Sequence, residues 1–207
     1  MMAIAIWVGA LLLYLAFRFW YDGPRKPLTA EEVQKYTQLL EQRADVDAMD
    51  QAVMRKFLEE DDGKNFIMVN LLQFHRSPIK HPDTGRDVQA DSVLQEYFRP
   101  FMGQVMRRAG HPVLSTRAVG GYLDAWNTPP DPGWHAAGLV RYRSRRDCIE
   151  LSLASAEFQQ LHKYKVAALK QTFAFPSRTL MSFYASPRVT VALVLALAAA
   201  LLQLTLA

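Results

Sequence analysis

The sequence predicts an α+β domain carried between two membrane helices. Three observations lead there. Nothing charged precedes Arg18 and nothing charged follows Arg188 in this 207-residue chain of net charge +4. Between those apolar ends, strand-like and helix-like stretches alternate. One stretch, Phe66–Phe74 (FIMVNLLQF), is apolar on both faces, as expected of a strand buried on both sides.

The ends come first. A bilayer core of roughly 30 Å needs about 20 apolar residues in a helix rising about 1.5 Å per residue. The stretch 189–207 approaches that length, with Gln203 and two threonines as its polar breaks. The stretch from Met2 to Phe17 reaches it if Arg18 snorkels and Phe19, Trp20 and Tyr21 form an interfacial belt. Pro24 and Pro27 then stop that helix. A cleaved signal peptide would carry a basic start and a small-x-small cleavage site. Here the apolar run has no basic start and is followed by bulky, aromatic and basic residues, so an uncleaved anchor is expected.

Arg18, Arg25 and Lys26 follow the first span, and Arg178 and Arg188 precede the second. Lys and Arg favour the cytoplasmic side. A cytoplasmic domain with both termini across the membrane is therefore expected. The single cysteine, Cys148, fits a reducing compartment. Lys163, Lys165, Lys170, Arg178 and Arg188 follow the last acidic residue, Glu157. Such a one-signed approach would attract anionic lipid headgroups; it equally describes a solvated helix face. Small residues at four-residue spacing, Ala192, Ala196 and Ala200 in the second span and Ala5 and Gly9 in the first, permit close helix approach.

The expected boundaries are a first span at 1–21, a helical extension at 28–64, the α+β domain at 65–184 and the second span at 187–207. Thr29 with Glu32 three residues on reads as a capping box opening a helix to about Arg43. A second helix should cover Val46 to Glu60, with Met49, Val53, Phe57 and Leu58 inward, stopped by Asp61-Asp62-Gly63. After the strand Phe66–Phe74 comes a turn-rich loop, His75 to Arg86. Asp91 begins a helix that Pro100 should kink or split, ending at Gly110 as the C′ glycine. Pro112–Val119 and Tyr122–Asn127 read as a hairpin turning at Gly120-Gly121. His135–Tyr142 is a fourth strand. Ser144 caps a helix to about Leu153, and Ser155 caps another to about Lys170. Thr179–Phe183 would be the final strand.

Taken in order, the elements give β-α-β-β-α-β with helices in front, the ferredoxin-like plan. Its helices cover one sheet face. The apolar second face of Phe66–Phe74 then requires another cover, and a partner subunit's sheet supplies one, making a homodimer.

Three segments carry a resemblance. They are Phe66 to Leu72 on the first strand, Val140 to Ser144 leading off the fourth, and Ser155-Ala156-Glu157-Phe158-Gln159. In order and spacing, from roughly Asn65 to Phe175, the chain resembles the domain-of-unknown-function 1330 family of dimeric α/β-barrel proteins. The last segment is similar to that family's Ser-Pro-Glu-Tyr-Gln, with Ala156 and Phe158 as departures; Phe158 lacks the hydroxyl. The resemblance implies a ferredoxin-like protomer that dimerises through its sheets, often with a pocket between sheet and helices. The family has no common reaction. Its wider superfamily includes cofactor-free monooxygenases, small isomerases and haem enzymes.

Chemistry-bearing motifs are sparse. His75, His81 and Asp83 share one loop, but their spacing matches no metal motif; neither metal nor cofactor is expected. His111 follows a helix end, where a cation is favourable. Asn70 interrupts an apolar strand on the side of Met68 and Leu72. It either bonds neighbouring backbone or addresses a ligand. His135 and Arg141 share one parity of the fourth strand; Tyr122, Asp124 and Trp126 share one on the third. Asn70, His135 and Arg141 are thus the catalytic candidates, with Met68, Tyr122 and Trp126 as pocket candidates. Arg141, Arg143, Arg145 and Arg146 form a basic run without any nucleic-acid motif, so acidic proteins or lipid headgroups are the expected partners and nucleic acid is not. Two functions fit: a membrane-anchored accessory or scaffold protein, or a small cofactor-free oxygenase or isomerase acting on a hydrophobic, membrane-partitioned substrate.

Overall fold

The structure is a computed structural model that describes residues 1–42, 48–153 and 160–206. Its elements are α1 (Met2–Asp22), α2 (Ala30–Glu41), α3 (Ala48–Glu59), β1 (Phe66–Phe74), β2 (Ile79–Lys80), β3 (Asp87–Val88), α4 (Ala90–Arg107), β4 (His111–Arg117), β5 (Ala136–Tyr142), α5 (Arg145–Ser152), α6 (His162–Ala168), β6 (Leu169–Ser177) and α7 (Pro187–Leu206). They fall into two compact units, Met1–Pro24 with Thr179–Ala207, and Arg25–Arg178.

The first unit is an antiparallel pair of helices. α1 and α7 are both long and apolar enough to cross a membrane. Each buries almost nothing: Tyr21 on α1 and Ala199 on α7 are their buried residues. Ala192, Ala196 and Ala200 are half-buried beside Ala199. Ala5 is exposed, and a Cβ on Gly9 would meet no atom within 4 Å, so the small pair on α1 is not used for packing inside this chain. Two polar contacts tie the pair together. Trp7 Nε1 donates to Gln203 Oε1 at 2.8 Å near one end. At the other, Asp22 accepts from Arg18 at 2.6 Å and from Arg188 at 2.5 Å. The Arg188 guanidinium also lies 5.1 Å from the Tyr21 ring centroid, where a ring face attracts a cation.

In the second unit, the capping box forms as the sequence predicts: Thr29 Oγ1 accepts from Glu32 N, and Glu32 Oε2 accepts from Thr29 N. α2 and α3 pack on α5 through Tyr36, Leu40, Leu58 and Ile149, with Met54 and Phe57 against them. The inward stripe of α3 therefore runs through Met54, Phe57 and Leu58. Val53, expected inward, is 66% exposed. Asp61 ends this segment by accepting from Leu28 N and Gly63 N.

The sheet has four antiparallel strands in the order β4-β5-β1-β6. Phe66, Met68, Val140 and Tyr142 face the helices and form a core with Met102, Val105, Cys148 and Leu151. Leu72 and Phe74 form another with Val93, Leu94, Ala168 and Leu169. By register, Val69, Leu71, Leu139, Leu114, Phe173 and Phe175 share the opposite face. Leu114, Phe173 and Phe175 on that face are exposed.

Four expectations are corrected. First, Tyr122–Asn127 is not a strand; β4 pairs instead with β5 across the loop 118–135. The loop backbone bonds to a carboxylate rather than to a ladder: Asp131 accepts from Tyr122 N at 2.9 Å and Gly133 N at 2.8 Å. Asn127 takes φ +53°, outside strand geometry. Second, the last strand is β6, which starts at Leu169, and Thr179–Phe183 is not a strand. Pro176 fits there because β6 is an edge strand. Third, Pro100 does not split α4, which continues through it as one helix. Fourth, the left-handed residue after α4 is Ala109 (φ +57°), not Gly110. Ala109 N bonds Met106 O and Gly110 N bonds Val105 O, a Schellman ending. Gly110 is needed for a different reason: a Cβ there would lie 2.6 Å from Val105 Cγ1 and 2.7 Å from Arg141 O. The Ser155 cap lies outside the described residues. Ser144 caps α5 as expected, accepting from Asp147 N.

Candidate functional site

The candidate polar residues sit on three different parts of the sheet. Asn70 pairs with Gly138 across β1 and β5. Its Nδ2 donates to Met68 O at 3.1 Å and Gly138 O at 3.2 Å. The amide therefore satisfies neighbouring backbone on the helix-covered face. Met68, its expected pocket companion, packs into the core beside Phe66.

His135 immediately precedes β5. Its backbone N–H donates to Leu72 O at 2.9 Å, and its carbonyl accepts from Ala118 N at 2.8 Å. Nδ1 accepts from Phe74 N at 3.2 Å. With Nδ1 an acceptor, the neutral ring carries its proton on Nε2. The ring stands edge-on to Phe74 at 6.0 Å. This histidine closes the end of β1, where the strand pairing runs out.

Arg141 pairs with Ile67 and so lies on the face opposite Asn70, at the far end of β5 from His135. It is buried, and Nη1 donates to Ala109 O at 2.6 Å. That bond holds the carbonyl of the strained left-handed residue after α4. His135 and Arg141 are six strand residues apart, about 20 Å. Tyr122 and Trp126 lie on the loop 118–135. Tyr122 OH accepts from Trp134 Nε1 at 3.1 Å, and Trp126 is 85% exposed. Asn70, His135, Arg141 and Trp126 therefore do not converge on one cavity.

The basic run is tied up internally. Arg143 is bidentate to Asp147, with Nε 2.8 Å from Oδ2 and Nη2 2.6 Å from Oδ1. Arg145 bonds Phe57 O, lies 4.6 Å over the Phe57 ring and sits 3.7 Å from Asp61. Arg146 grips Glu32, with Nη2 2.9 Å from Oε2. The run joins α5 to α2 and α3. Two of its partner carboxylates, Asp61 and Glu32, are far away in sequence, which is why a local reading sees a patch.

Burial sets the chemistry of the interior. It pushes the Cys148 thiol up to about 12 and the Tyr97 hydroxyl to about 12, and raises Tyr142 well above its ordinary value. Such a thiol is a packing group and a poor nucleophile. Burial lowers Lys165, whose Nζ lies 5.9 Å from the Tyr97 ring centroid. His81 Nε2 lies 3.0 Å from Glu96 Oε1, and its Nδ1 accepts from Asp83 N and Thr84 N. Nδ1 thus holds the turn, and Nε2 ties it to α4 through Glu96. Among the described residues, no group of three or more His, Cys, Asp or Glu could hold a metal ion.

Sequence reasoning misses three residues that organise the loop: Gln73, Asp131 and Trp134. Gln73 is buried, its Nε2 bonding Pro132 O and its Oε1 making no hydrogen bond to the chain. The visible signal is Asp131 within Pro-Pro-Asp-Pro-Gly, an aspartate set to bond its own turn.

No family model matches the chain, and no curated protein matches it. The similar crystal structures include two of one protein. One is the RPA0582 protein of Rhodopseudomonas palustris, a protein of unknown function; it is 19% identical, with 67% of this chain and 97% of that one covered and a TM-score of 0.51. The other, methylated RPA0582, is 20% identical, with 69% and 98% covered and a TM-score of 0.52. At this identity the likeness is one of fold, shared with an uncharacterised protein.

Proposed function

We propose that this chain is a two-pass membrane protein that presents an α/β unit at the cytoplasmic surface as an accessory or scaffold protein, acting as a homodimer. The observation that carries this reading is the α1–α7 pair. Leu11, Leu12, Leu13, Leu197, Leu201 and Leu204 are all exposed on it. In water such a surface exceeds what a soluble protein presents; in a bilayer it is the expected exterior. Phe19 and Trp20 lie in the last turn of α1, and Leu180, Met181, Phe183 and Tyr184 precede α7, all exposed as interfacial residues would be.

The strand order, with β1 between β5 and β6 and β4 beside β5, agrees with the ferredoxin-like plan and the domain-of-unknown-function 1330 resemblance. The exposed apolar sheet face supports a homodimer in which the partner copy covers it. The dispersal of Asn70, His135, Arg141 and Trp126 favours a scaffold over an enzyme of the oxygenase or isomerase kind. The test is alkaline carbonate extraction of membranes holding the full chain. Retention in the membrane pellet supports the reading, and release into the supernatant contradicts it.

A further inference from the structure

The loop 118–135 carries the most conspicuous unabsorbed surface of the Arg25–Arg178 unit. Val119 and Leu123 are fully exposed, and Trp126 nearly so. Yet the loop backbone is fastened. Asp131 holds two of its N–H groups, Trp134 donates to Tyr122 OH, and Gln73 bonds Pro132 O. Three bulky apolar side chains are thus displayed on a pre-formed frame, which lowers the ordering cost of binding.

A second apolar surface lies on the open sheet face, where Phe173 and Phe175 are exposed with ring centroids 5.8 Å apart, and Leu114 is exposed on the same face by register. In its own unit the loop reaches this face through Pro132, which Gln73 bonds, while Val119, Leu123 and Trp126 stay exposed. Two unlike apolar patches on one unit are both buried when two copies pair about a two-fold axis, each patch being used twice. Covering both patches on both copies removes on the order of 1,000 Å² or more from water, within the range of a specific interface. Charge points the same way. The loop holds Asp124 and Asp131 and no Lys or Arg, so anionic headgroups would repel it. β6, by contrast, begins with the exposed Lys170 beside Leu169.

We infer that the loop 118–135 is a clasp that docks on the open sheet face of a second copy of this chain, placing Leu123 and Trp126 against the partner copy's β6 aromatics. This rests on the homodimer reading above and names its contact.

The test uses the full chain in detergent micelles, with the stoichiometry read by native mass spectrometry and light scattering. Leu123→Ser/Trp126→Ser changes only exposed positions, and is expected to raise the dimer dissociation constant at least tenfold with the circular dichroism spectrum unchanged. Trp126→Cys/Phe173→Cys is expected to give a disulfide-linked dimer on oxidation, with neither single variant doing so; the native Cys148 is buried and gives no background. A dimer that survives both serine substitutions, together with no disulfide-linked species from the double cysteine variant, overturns the clasp while leaving the homodimer intact. A wild type that is monomeric throughout overturns both. Trp126-dependent quenching by brominated lipid in anionic vesicles, lost in Trp126→Phe, would assign the loop to the bilayer and also overturns the clasp.

Discussion

Asp22 and Arg188 are 166 residues apart in sequence, yet Arg188 Nε and Nη2 lie 2.8 and 2.5 Å from one Asp22 oxygen. Arg18 takes the other carboxylate oxygen. Trp7 and Gln203 repeat the cross-link about 22 Å further along each helix, at about 1.5 Å per residue. Both pairs span the same stretch of their helices, so the antiparallel register of α1 and α7 is fixed at two points. The apolar surfaces between them do not specify register by themselves.

Removing the anionic member should loosen that register. Asp22→Asn leaves Arg18 and Arg188 facing each other without a counter-charge, at a cost of about 1–2 kcal/mol given their part exposure. The check is oxidative cross-linking of Trp7→Cys/Gln203→Cys. It should link efficiently within one chain and lose yield when Asp22→Asn is added. An unchanged yield would mean that the carboxylate does not set the register.

Glu32 gives a pH signature. The Arg146 guanidinium, followed by the Thr29 backbone N–H, holds its carboxyl down to about 2, against an ordinary 4.5. A carboxyl lowered on folding contributes stability above its unfolded value and loses it as pH falls through the folded one. Glu32→Gln preserves the cap and removes the charge. It should cost about 1 kcal/mol at pH 7, with the gap to wild type closing between pH 4.5 and 2. Urea unfolding followed by circular dichroism measures this directly, and a gap that stays constant with pH would refute the assignment.

Cys148 should be chemically silent in the folded protein. Its thiol is buried and raised to about 12, so little thiolate exists at about pH 8. Maleimide labelling should be slow in buffer and rapid in denaturant. Fast native labelling would mean that the core around Val140, Tyr142 and Leu151 opens readily.

The strands and helices that announce themselves locally are legible in the sequence. β1 matches its expected range, and the Thr29 and Ser144 caps form because capping is decided within four residues. The membrane-length helices are legible from composition alone. What is not legible depends on distant partners. The loop 118–135 resembles a strand in its alternation of Tyr122, Asp124 and Trp126, but Asp131 captures its backbone from nine residues away. The start of β6 reads locally as helix through Lys170, because only β1, a hundred residues earlier, makes Leu169–Ser177 a strand. The candidate site fails to assemble for the same reason: parity along each strand is readable, whereas the register that puts Asn70 and Arg141 on opposite faces is not.

Gly63 marks a place where no side chain fits. Its φ is +69°, and a Cβ would lie 2.6 Å from Arg25 O and 2.8 Å from Lys26 C. Both obstacles are backbone and cannot swing aside. Gly63→Ala should therefore cost about 2 kcal/mol or more, read as a lowered urea midpoint. A neutral result would show that the 25–26 segment moves freely against this turn.

On the proposed topology, both terminal helices cross one membrane and leave Arg25–Arg178 on the cytoplasmic side. The most direct measurement is protease protection of the full chain carrying a different epitope at each end, in sealed inside-out membrane vesicles. The account requires both terminal epitopes to survive while the central unit is digested. Digestion of either epitope in intact vesicles, or protection of the central unit, would contradict it.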